Sequence, residues 1–126
     1  MSEELPPYDG ARPAYKEHPL WNEAMALTHA AYELAGRVRP EDPLTARHLR
    51  RAAVAIPAHV AGALSSDDDS RRDHVSTALS ALAEVSRQAD RVRGVERAAA
   101  AELARRAGEL ERAVCFQLGD AGTLVC

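Results

Sequence analysis

Five histidines, two cysteines and a run of three aspartates are the side chains in this 126-residue chain whose types suit metal binding, proton transfer or nucleophilic attack. The histidines are His18, His29, His48, His59 and His74. His48 and His59 are eleven residues apart, close to three helical turns, so both would lie on one helix face. At about 1.5 Å of rise per residue they are still roughly 16 Å apart, too far to share one metal ion. His59 stands in an otherwise apolar stretch and reads as a hydrogen-bonded interface histidine rather than a catalytic base. Asp67, Asp68 and Asp69 are neighbours at an expected helix start, where adjacent side chains diverge and carboxylates favour the positive end of the helix dipole. The chain has no Glu-x-x-His pair of the di-iron bundle type, no glycine-rich phosphate loop and no nucleophile elbow. Cys115 falls near an apolar seam and reads as an inert small hydrophobe. The expectation is a non-enzyme with no catalytic residues, no metal and no cofactor.

Charge placement is more informative. The basic residues are fifteen arginines and one lysine. If the chain is an up-down bundle, Arg37, Arg39, Arg47, Arg50, Arg51, Arg87, Arg91, Arg93 and Arg97 gather at one end with six acids, a local surplus of three positive charges. Dipole complementation at helix C-termini accounts for Arg37, Arg39, Arg91 and Arg93, but not for Arg47, Arg50 and Arg51 near a helix start. Arg39, Arg47, Arg50, Arg51 and Arg93 are therefore the candidate nucleic-acid-binding set. With no aromatic platform beside them, binding would be independent of base sequence.

The elements that must position these residues are helical. The central stretch, 49–64, reads LRRAAVAIPAHVAGAL. Leu49, Ala53, Ile56, Val60 and Leu64 recur at helical spacing and form a core face. The opposite face, Val54, Pro57, Ala58 and Ala61, is apolar as well, and a second copy of the chain is the simplest thing to cover it. Pro57 removes one hydrogen bond and should kink this helix without ending it, because the spacing continues in phase beyond it. The first helix, 19–38, carries a heptad seam from Leu20 to Val38 with Trp21, Met25 and Tyr32 beside it. Asp42 and Pro43 read as cap and first residue of the second helix. A third helix over 68–93 places Val75, Ala78, Leu82, Val85, Ala89 and Val92 on one side. A fourth follows Gly94, with Val95, Ala99, Leu103, Ala107, Leu110 and Val114 on its seam.

These seams and short turns predict an all-α, antiparallel up-down-up-down four-helix bundle over 19–118. An extended or disordered proline-rich arm (1–18) precedes it and a loose tail (119–126) follows. The expected oligomer interface is Trp21, Met25, Val54, Pro57, Ala58 and Ala61.

Composition agrees: alanine makes up about a fifth of the chain and aromatics 4%. A formal charge of −3 gives no global attraction to nucleic acid or anionic membrane. Two cysteines are too few for a disulfide framework, and neither a leader nor a membrane-length apolar run is evident, so a cytoplasmic protein is expected.

The segment LRRAAVAIPAHVAG, together with Trp21 opening an alanine-rich amphipathic helix, resembles the bacterial four-helix bundle proteins also called 23S rRNA intervening-sequence proteins. The resemblance covers about 19–114. That family is similar in fold to the accessory protein of diversity-generating retroelements, a pentamer that associates with a reverse transcriptase and RNA. The resemblance implies a homo-oligomer, most simply a pentamer, acting as a scaffold or adaptor, with nucleic acid or another protein as a further partner. The chain departs from the pattern after the proline: relatives carry Asn-Ile-Ala-Glu-Gly where it has His59, Val60, Ala61, Gly62 and Ala63.

Overall fold

The computed structural model describes residues 14–119. Four helices follow in order: α1 (Pro19–Val38), α2 (Pro43–Ser65), α3 (Asp68–Ala89) and α4 (Arg97–Leu118). Each packs on the next, α2 most extensively on α3, and α4 returns to α1 more sparsely. This is the expected all-α four-helix bundle, and no strand occurs among the described residues.

Local chemistry sets the ends. His18 caps α1, its Nδ1 accepting from the Leu20 amide, with Pro19 supplying a first-turn residue that needs no donor. Asp42 caps α2 by accepting from the Thr45 amide at 3.1 Å and the Thr45 hydroxyl at 2.7 Å. Asp67 caps α3 through the Ser70 amide. That gives the first of the three aspartates its role, while Asp68 and Asp69 sit in the favourable first turn.

Two expected boundaries move. Residues 14–17 of the supposed arm form a 3-10 turn, Ala14–Glu17, and Tyr15 meets Trp21 edge-on with ring centres 5.6 Å apart; residues 1–13 of the arm and 120–126 of the tail lie outside the described residues. The third helix ends at Ala89, not 93, and a 3-10 turn, Gly94–Glu96, leads into α4. Gly94 has φ +79°, so the reversal runs through the left-handed region that glycine adopts without steric cost. Val95, expected on the last seam, is consequently 94% exposed. The α4 seam is Ala100, Leu103, Ala107, Leu110 and Val114.

The core is otherwise the one the periodicity marks. Leu20, Ala24, Leu27, Ala31, Leu34 and Val38 of α1 are buried against Leu49, Ala53, Ile56 and Val60 of α2 and the Val75–Val92 seam. α2 continues through Pro57 to Ser65. Proline cannot donate to the Ala53 carbonyl four residues back, and a buried carbonyl without a donor is costly. Here α1 supplies one: the buried Thr28 hydroxyl lies 3.0 Å from Ala53 O and 2.9 Å from Ala24 O. Its own helix already provides Ala24 O with the Thr28 amide, which leaves the single hydroxyl proton for Ala53.

Candidate functional site

The surface of interest is the outer side of α2 with the adjoining edge of α1. Between its end residues Pro43 and Ser65, which are exposed as well, the exposed residues of α2 are Leu44, Arg47, Arg51, Val54 and Ala58, at spacings of 3, 4, 3 and 4. That spacing makes them a single stripe along the helix. Leu44 is 58% exposed and Val54 53%. The stripe therefore joins a basic half, Arg47 and Arg51, to an apolar half, Val54 and Ala58.

Of the six residues expected at an oligomer interface, Val54 and Ala58 are exposed, and Ala61, Trp21 and Met25 are half-buried. Pro57 is the exception. It is buried inside the subunit, turned towards the core by the same helical phase that buries Ile56 and Val60, so it offers no surface to a partner. The Thr28–Ala53 bond fixes the antiparallel pairing of α1 and α2. Counting from it sets Trp21 and Met25 level with Val60 and Ile56, one residue from Ala61 and Pro57, so the α1 and α2 halves of the expected interface lie at about the same height in the bundle.

At the opposite end, the α1–α2 and α3–α4 turns enclose a groove of ≈ 400 Å³ lined by Arg37, Glu41, Asp42, Arg91, Arg93 and Glu96 among others. Three of the nine arginines expected at this end, Arg37, Arg91 and Arg93, line that groove together with three acids, and the nine differ in what they do. Arg93 donates to Asp90 O and Val92 O in the turn after α3, and Arg97 donates to Val92 O and to Ala89 O, the last carbonyl of α3. Arg37 pairs with Glu96 at 2.8 Å and Arg87 with Glu84 at 2.5 Å. Of the candidate nucleic-acid set, Arg93 is accordingly occupied in that turn. Arg39, Arg47 and Arg51 are exposed, Arg50 is half-buried, and none of these four makes an ion pair or side-chain hydrogen bond among the described residues. The thiol expectation also changes: Cys115 is disulfide-bonded, and the only other cysteine, Cys126, lies outside the described residues.

Electrostatics tie the turns together. The Thr45 hydroxyl and amide hold the Asp42 carboxyl below the usual carboxylate range, and the charges of Arg91 and His48 add to this. Glu84 is lowered chiefly by the Gln88 amide and then by Arg87. Both acids remain anionic near neutrality and offset part of the basic surplus. His48, Arg51, Ala52, Thr77, Ser80, Ala81, Glu84 and Arg87 line a shallow groove of ≈ 450 Å³ between α2 and α3, open to solvent.

One pairing escaped the sequence reasoning. His59 meets His74, Nδ1 to Nδ1, at 3.0 Å. The signal was present: the two positions are equidistant from the α2–α3 turn, and an antiparallel hairpin brings such positions face to face. No group of three or more histidine, cysteine, aspartate or glutamate side chains converges among the described residues. No described helix is long and apolar enough to cross a membrane. Comparisons with protein families, characterised proteins and solved structures give no match.

Proposed function

We propose that the protein is a non-enzymatic, self-associating scaffold or adaptor of the 23S rRNA intervening-sequence type, built as a cyclic oligomer whose subunits meet through the outer side of α2 and the Trp21–Met25 edge of α1. The observation that carries this reading is Val54: a valine 53% exposed beside Ala58 on a helix whose other side is already buried. Half-buried Ala61, Trp21 and Met25 would extend Val54 and Ala58 into the contiguous apolar surface that an interface needs. The pentameric number comes from the resemblance and from nothing else. Size exclusion with light scattering tests the reading against a subunit mass of 13.6 kDa. Five times that mass at micromolar concentration is expected, and a monomer would refute it.

A second reading, an accessory protein that binds RNA or DNA, is favoured by the four arginines left without acidic partners on and beside α2. Closing five subunits into a ring would repeat the local positive surplus around one rim, which can attract a polyanion even to an acidic protein. A cytoplasmic location belongs to the first reading and rests on the scarcity of cysteine. The disulfide of Cys115 pulls against it, and free-thiol titration in fresh lysate decides between them.

A further inference from the structure

We propose that His59 and His74 form a one-proton latch between α2 and α3, which opens when both imidazoles become charged and so loosens the α2–α3 hairpin in mild acid. The two Nδ1 atoms are 3.0 Å apart and the ring centres 5.2 Å apart, with the planes tilted by 42°, so the nitrogens lie between the rings and meet almost head-on. A neutral imidazole carries one N–H and one bare nitrogen. The contact is a hydrogen bond only when one Nδ1 bears a proton and the other does not. Two neutral rings satisfy this, and so do one neutral and one cationic ring. Two cations do not: both Nδ1 atoms then carry protons, and two donors with like charge face each other at bonding distance.

The surroundings leave the second proton nowhere to go. The His74 ring lies flat against Gly62, where a Cβ would fall 2.5 Å from Cε1, 2.6 Å from Nδ1 and 2.7 Å from Nε2. The ring cannot retreat towards the α2 backbone, so repulsion swings it outwards and removes its packing against Gly62. On α2, the positions one turn from His59 are Ala55, Ile56, Gly62 and Ala63, none of which ionises. On α3, Arg71 precedes His74 by almost a turn, its guanidinium held by the Ala63 and Ser66 carbonyls; this fixed cation opposes double protonation. Asp73 is exposed on the other side, and Asp67, Asp68 and Asp69 occupy the turn. At this end of the bundle the 14–17 turn, which packs on α2, contributes Tyr15, Lys16 and Glu17. The cap of α1 is His18, whose Nδ1 is held by the Leu20 amide; α1 itself contributes Glu23, and α4 contributes Glu109, Glu111 and Arg112. No hydrogen bond joins His18, Glu23, Glu109, Glu111 or Arg112 to either ring. Both histidines are half-buried, so water reaches the pair and protonation needs no unfolding.

The test joins ¹⁵N spectroscopy of the two rings to amide hydrogen exchange over 60–75, each read between pH 7 and pH 5. The wild type should show one ring with its proton on Nδ1 and the two titrations coupled. After correction for intrinsic rates, protection over 60–75 should fall at least tenfold at pH 5. In His74→Gln, whose amide can keep the bond without ionising, His59 should titrate as a single uncoupled group and the tenfold loss should vanish. Two rings that both hold their proton on Nε2 in the wild type would overturn the proposal, and that result does not depend on any variant folding. So would wild-type titrations that are independent, or protection that does not change with pH.

Discussion

Thr28 does for the Ala53 carbonyl what the missing amide of Pro57 cannot, and the bond is buried between two helices. Thr28→Val keeps the shape and removes the donor, leaving a buried carbonyl unpaired at a cost of about 1–3 kcal/mol. In a Pro57→Ala background the alanine amide can take over, so the same substitution should cost clearly less. Urea denaturation of the four proteins measures the coupling, and additive costs would contradict the assignment. Asp42 gives a pH-dependent case. Its carboxyl is held below its ordinary value in the folded protein, first by the Thr45 hydroxyl. Its contribution is therefore present above the unfolded pKa of about 3.9 and is lost as pH falls through the lower folded value. The stability gap between wild type and Asp42→Ala should be widest near neutrality and close in acid. A gap that widens as pH falls would reverse the sign of this account.

At the scale of elements, the helices were legible because heptad seams, N-terminal caps and first-turn prolines agree with one another along the chain. The α1 and α3 seams are buried at every position the spacing marks, from Leu20 to Val38 and from Val75 to Val92. What was not legible belongs to turns and to phase. The third helix stops at Ala89, where Arg97 of α4 reaches back across the turn to the Ala89 carbonyl, and no local pattern announces that. Pro57 looked exposed by counting along a flat helical projection, but it faces inwards beside Ile56. The His59–His74 contact needed the hairpin pairing as well as the composition. Gly94 is where the α3–α4 turn can be tested: a Cβ there meets nothing within 4 Å, so the cost of substitution is purely that of φ +79°. Gly94→Ala should destabilise by about 1–2 kcal/mol, and Gly94→Asn, which tolerates this conformation better, by less. Equal stability of all three by thermal unfolding would contradict the stated role of the turn.

For the whole molecule the question is which part of the α2 stripe meets a partner. Its basic half and its apolar half make separable predictions. If the arginine-rich rim binds a polyanion, labelled single-stranded RNA and duplex DNA should both bind at low salt, without sequence preference, and release steeply as salt rises. Arg47→Glu/Arg51→Glu should abolish this while leaving the oligomer intact, and fluorescence anisotropy reads the first while light scattering reads the second. Binding that survives in the double variant would move the site away from α2. The apolar half bears on the central claim, that α2 buries its outer side against another copy of the chain. Val54→Asp places a charge at a position that costs the free subunit little, since Val54 is already in water there, but that would be uncompensated inside an interface. The decisive measurement is the light-scattering mass of wild type and Val54→Asp at the same micromolar concentration, with helical content followed by circular dichroism. The account predicts an assembly for the wild type and a folded 13.6 kDa monomer for the variant; an unchanged mass in the variant, or a monomeric wild type, would contradict it.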